Sequence, residues 1–119
     1  MRKENEKGNE KEKKEVLLAK PLELANLISY QKNTVVSRTL INKKTGTVTL
    51  FAFDKGQGLS EHTAPFDAMV YILDGKVKIT ISGKPLSAEK GEMVIMPANK
   101  PHSLKAEKKF KMLLVMIKN

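Results

Sequence analysis

No cysteine occurs among the 119 residues. That absence removes disulfides, thiolate nucleophiles, zinc–thiolate sites and cysteine-held iron–sulfur clusters. Any metal must rely on histidine, carboxylate, amide or water. Histidine itself is scarce, His62 and His102 being the only two. Tryptophan is missing and the aromatics amount to four Phe and two Tyr, too few for a run of base-stacking platforms. Arginine occurs only as Arg2 and Arg38, so lysine carries the formal charge of +9. A lysine-rich surface keeps a protein dissolved, and nucleic acid is not expected as a partner. No apolar run approaches the roughly 20 residues of a membrane helix, so no membrane partner is expected either. The N-terminus is charged from Arg2 onward and has no apolar stretch of the secretory kind, which makes a cytoplasmic protein the expectation.

What is present suits one globular domain, because 40% of residues are hydrophobic and 29% charged and compact domains commonly run about 100 to 150 residues. Residues 1–14, MRKENEKGNEKEKK, hold no aliphatic side chain except Met1. They cannot bury enough apolar area to offset the entropy of ordering and read as a charged, flexible tail. The domain is expected over 15–119. Pro21 followed by LELANLI fits a short N-terminal helix with proline in its first turn. From Thr34 the hydrophobic period becomes two, and strands are predicted at 34–41, 46–53, 68–73, 76–82, 92–96, 101–106 and 110–117. Asp74-Gly75, Ser82-Gly83, Lys90-Gly91 and Asn99-Lys100-Pro101 punctuate them as turns. Many short strands with close turns and no later helix mean an all-β fold, an antiparallel barrel or jelly roll.

Two segments carry more than a fold class. In Gly56–Gly75, GQGLSEHTAPFDAMVYILDG, a glycine leads to His62 and the segment closes on Gly75; in Gly91–His102, GEMVIMPANKPH, a glycine leads to Pro97 and then His102. These resemble the first and second motifs of the cupins, small barrels of the RmlC-like jelly-roll (double-stranded β-helix) superfamily. The resemblance implies a cupin barrel. In metal-binding cupins the first motif supplies two His and a Glu and the second a third His. Here the second His position is Ala64 and the Glu position is Ala68. The two surviving ligand positions hold the only two histidines of the chain.

His62 and His102 are therefore the candidate ligand-binding pair, with Gln57 and Phe66 as neighbours that could join a pocket, and the same two histidines are the candidate metal ligands. Asp67 is a candidate third ligand if the Pro65-containing connection departs from a regular strand, whereas Glu61, one residue from His62, should point away from the barrel interior. Two His with at most one carboxylate would make a labile site for a divalent transition metal (Zn, Ni, Fe or Mn). Met69, Met93, Met96, Met112 and Met116 read as core filler. Two function classes stay open: a binding module whose pocket around His62 and His102 holds a small organic molecule, with weak metal binding at most, and a metal-dependent cupin enzyme of dioxygenase, isomerase or decarboxylase type acting on a small organic acid or sugar derivative. Strand 110–117, FKMLLVMI, is apolar on both faces from Met112 on, so both faces need covering and a homodimer is expected.

Overall fold

A computed structural model describes residues 17–118; the tail predicted over residues 1–14 lies outside them. Nine strands follow one another among the described residues: β1 (Val35–Lys43), β2 (Gly46–Phe53), β3 (Gly58–His62), β4 (Ala68–Asp74), β5 (Lys76–Ile81), β6 (Lys84–Glu89), β7 (Met93–Met96), β8 (His102–Ala106) and β9 (Phe110–Ile117). All pairings are antiparallel. They form a five-stranded sheet in the order β1-β2-β9-β4-β7 and a four-stranded sheet in the order β3-β8-β5-β6. This is the expected all-β jelly roll, and among the described residues no helix is long and apolar enough to cross a membrane.

The main core lies between the sheets. Phe53, Val70, Ile72, Val77, Ile79 and Phe110 are wholly buried there, each stabilising the fold by about 1.5–3 kcal/mol through removal of apolar surface from water. Phe53 and Phe110 stack with ring centroids 4.4 Å apart, tying β2 to β9 at one end of the sandwich. Gly75 makes the β4–β5 connection feasible. Its φ is +80°, and a Cβ there would lie 1.9 Å from the Lys109 carbonyl oxygen, so only glycine lets the turn pass under the start of β9.

The segment before β1 differs from its sequence reading. The helix predicted after Pro21 contracts to one 3-10 turn, Leu24–Asn26. Its carbonyls are claimed from the sheet: Arg38 Nη1 donates to Leu27 O at 2.8 Å, and Lys111 Nζ donates to Ala25 O. Held this way, the chain lays Leu24, Leu27 and Ile28 across the outer face of the five-stranded sheet, against Leu50, Ala52 and Leu113. Tyr30 Oη donates to Asp74 Oδ2 at 2.6 Å. Burial and this carboxylate together push the Tyr30 hydroxyl pKa well above its ordinary value.

Candidate functional site

The described residues include two concavities large enough to hold a ligand. An open groove of about 980 Å³ runs between the N-terminal segment and edge strand β1, and among the described residues its one charged side chain is Arg38, already committed to Leu27 O. The second, of about 500 Å³, lies between the sheets and contains both histidines. The larger hollow carries no chemistry comparable with the smaller one.

His62 ends β3 and His102 begins β8, and the two are cross-strand partners. A bulge sets this register: Leu59 pairs with Leu104 and His62 with His102, so three steps along β3 match two along β8. In an unbroken ladder running on from Leu59, Glu61 would face His102 and His62 would turn outward. With the bulge, Glu61 is exposed, as its position beside His62 predicts. His102 is buried, 4% exposed, whereas His62 is exposed at the cavity mouth.

The hydrogen bonds of the two rings fix their protonation pattern. His62 Nδ1 lies 2.8 Å from Ser60 O and His102 Nδ1 lies 3.1 Å from Lys100 O. A carbonyl only accepts, so each Nδ1 carries the hydrogen and each neutral ring presents a bare Nε2. Those two Nε2 atoms are 3.2 Å apart. Their contact is a hydrogen bond only when one ring holds a second proton; otherwise two lone pairs face each other. Burial pushes the His102 pKa below its ordinary 6.5, the Lys100 carbonyl opposes the shift, and the charge of a protonated His62 adds to it. With both rings neutral the pair offers two converging acceptors that call for a donor or a cation between them.

The rest of the wall is apolar. Phe51, Met112 and Leu114 line one side with Met96 and Met116, while Leu59 and Leu104 line the other, and Ser60 is the one further polar residue. Ala64 and Ala68 also line the cavity. Ala64 lies beyond the end of β3, in the connection to β4, not on the strand as His62 is. That connection is pinned to the turn after β7: Asn99 N donates to Ala64 O at 2.7 Å and Ala98 N donates to Asp67 Oδ1 at 2.8 Å. The Asp67 carboxylate is thus spent on a backbone amide outside the cavity lining. Gln57 sits in the turn before β3, where its carbonyl accepts from Ala106 N, and Phe66 lies beneath Lys118 Nζ, 5.9 Å from its ring centroid. Neither lines the cavity. The methionines divide in a way that sequence periodicity did not resolve: Met96, Met112 and Met116 face the cavity, while Met93 is 51% exposed on the outer side.

A separation of 3.2 Å suits two neighbouring donors on one ion about 2.1 Å from each, and carbonyl-anchored Nδ1 atoms are the usual outer support of ligating histidines. The rest of the donor set fails that test. Two methyl groups stand where a third imidazole and a carboxylate would be, and among the described residues no group of three or more His, Cys, Asp or Glu is placed to hold a metal. The residues present do not fit a three-histidine, one-carboxylate divalent centre.

Comparison with known proteins agrees with this architecture. The chain is 40% identical to a conserved protein of unknown function from Streptococcus pyogenes, SPY1581, over 85% of this chain and 89% of that one, with a TM-score of 0.82. It is 30% identical to a cupin superfamily protein from Desulfitobacterium hafniense, over 84% of this chain and 92% of that one, with a TM-score of 0.81. A salicylate 1,2-dioxygenase from Pseudaminobacter salicylatoxidans shares the fold at 18% identity and a TM-score of 0.65, over 70% of this chain and 26% of that one. No curated protein matches the sequence. The sequence pattern of the family described as Cupin domain matches residues 49–118, a span that includes both histidine-bearing segments, and the chain belongs to the cupin domain family.

Proposed function

We propose that this cupin domain binds a small, largely apolar organic molecule in the cavity between the sheets, with His62 and His102 as its polar anchor. The observation that carries the reading is the pair of Nε2 atoms 3.2 Å apart with both Nδ1 atoms committed to carbonyls. Two fixed acceptors select a ligand that brings a hydrogen, such as a phenol, an enol or a protonated carboxylic acid, and the apolar wall supplies contact area. The volume of about 500 Å³ falls within the range of small-ligand pockets. Ala64 and Ala68 favour binding over metal-dependent catalysis, because they leave the second reading, a divalent-metal enzyme, with two of its four ligands. Native mass spectrometry of protein taken from cells without dialysis, together with 15N spectra of the histidine rings during titration with small phenols and carboxylic acids, tests the proposal. The expected result is a shift of both Nε2 signals, lost in His102→Ala. A bare mass and unmoved Nε2 signals across the set would overturn it.

We infer further that the chain pairs with a second copy of itself. The outer face of the five-stranded sheet carries a row in continuous register, Ile41, Val48, Val115, Met69 and Ile95, one residue from each strand. Ile41 is 46% and Ile95 53% exposed. The N-terminal segment covers the adjoining Leu50, Ala52 and Leu113. Because the chain has a net charge of +9, two copies approach best through a row without lysine, and a two-fold axis lets the same row serve both.

A further inference from the structure

The donors lost from the cavity are the hard or borderline ones, and the donors that flank the loss are soft. Ala68 is the cross-strand partner of Met96 on β7 and of Met116 on β9. The three form one row across the inner face of the sheet, and all three line the cavity shared with His62 and His102. The vacated carboxylate position therefore has a thioether on each side. Among the described residues nothing anionic lines the cavity to balance a double positive charge in an apolar surround, and the whole chain is already cationic. A divalent ion would be poorly compensated there. A singly charged ion carries a smaller desolvation cost, and thioether and imidazole are the ligands that suit monovalent copper and other soft d10 cations. Such ions accept two to four ligands, so the two imidazoles and one or both thioethers suffice.

We propose that the cavity is a site for a soft monovalent cation, copper(I) or its redox-inert analogue silver(I), held by Nε2 of His62 and His102 with the thioethers of Met96 and Met116. The proposal rests on the reading of this cavity as the binding site and makes the ion, or an organic molecule seated on it, the occupant. It assigns these two methionines a role beyond filling space. Met69 and Met93 stand on the opposite face of the same sheet, in register with each other's neighbours Ile95 and Tyr71, and serve as internal controls.

The test is titration of the full chain, labelled with 13C at the methionine methyls and 15N in the histidine rings, with silver nitrate in chloride-free buffer at pH 7.5 and, separately, with nickel(II). Silver is expected to shift both Nε2 signals and the Met96 and Met116 methyls together, saturating at one equivalent, before Met69 or Met93 responds. Met96→Leu with Met116→Leu conserves volume and should keep the fold, yet weaken silver binding by about 10-fold or more, and His102→Ala should weaken it by roughly 100-fold. Unchanged silver affinity in the double leucine variant would overturn the proposal, as would nickel saturating the histidine signals at a lower concentration than silver. If no metal moves the Nε2 signals but a phenol or carboxylic acid does, the soft-ion proposal fails and the organic-ligand reading stands. If nothing moves them, both fail.

Discussion

Returning the two missing donors, Ala64→His together with Ala68→Glu, should convert the cavity into a divalent metal site at a measurable cost to the metal-free fold. Both positions line the cavity, so the new side chains enter the space that His62 and His102 already face. Ala68 is only 3% exposed and sits in the main core cluster. A carboxylate there gives up its hydration with imidazoles alone to compensate, a loss of several kcal/mol. In EDTA the double variant should therefore melt below the parent. Nickel should reverse the order, because four donors in place of two raise affinity at least about 100-fold. At roughly 100 times Kd the ion stabilises the folded state by about 2.7 kcal/mol, which for a domain of this size raises Tm by about 10 °C. The parent should barely move under the same conditions. Scanning calorimetry of parent and double variant in EDTA and in nickel gives all four numbers, and His62→Ala in the variant background should cancel the gain. Equal nickel shifts in parent and variant would mean that another group, with Asp67 released from Ala98, already completes the site. No shift in either would refute the placement of the first motif against the cavity.

Three further outcomes are expected. Gly75→Ala and Gly83→Ala share a positive φ near 80°, but a Cβ meets backbone at Gly75 and nothing within 4 Å at Gly83; urea unfolding should show a loss of about 1 kcal/mol at Gly83 and at least about 3 kcal/mol at Gly75, and equal losses would contradict the close approach. His102 has a depressed pKa in the fold, so the unfolded chain takes up its proton first as pH falls: the stability held above pH 6.5 should decline below it, by at most about 1.4 kcal/mol per pH unit. His102→Gln should flatten that decline between pH 7 and 5.5, and an unchanged slope in the variant would assign it elsewhere. Light scattering at micromolar protein should give a dimer mass for the parent and a monomer mass for Ile95→Lys, since Ile95 is 53% exposed and its change leaves the core untouched; a monomeric parent or a dimeric variant would count against pairing through this face.

Sequence periodicity located the strands that have something to bury. The predicted segments 46–53 and 110–117 coincide with β2 and β9, and 68–73 and 76–82 fall within one residue of β4 and β5. It missed β3 and β6 because they bury little: β3 reads GLSEH with only Leu59 half-buried, and β6 reads KPLSAE with only Ala88 buried. Pro85 argues against a strand, but β6 is an edge, where a missing N–H costs nothing. The N-terminal helix failed for the opposite reason, since tertiary hydrogen bonds from Arg38 and Lys111 override a local propensity. At the cavity, the two histidines were legible because they are the only ones and stand at motif positions. Gln57 and Phe66 were chosen by proximity along the chain, and the structure leaves both outside the lining. Met96 and Met116 could not be singled out, because their placement beside Ala68 depends on cross-strand register that no single strand encodes.

The bulge in β3 makes the register of that strand a chemical variable. Deleting one residue between Leu59 and His62 would remove the bulge and keep the two histidines paired, whereas a slip of the intact sequence into an unbroken ladder would bring Glu61 opposite His102. The mouth of the cavity would then carry an acid beside an imidazole, a proton-sharing couple with a net charge different from that of the present pair. One step of register here, with every amino acid kept, thus exchanges one donor chemistry for another.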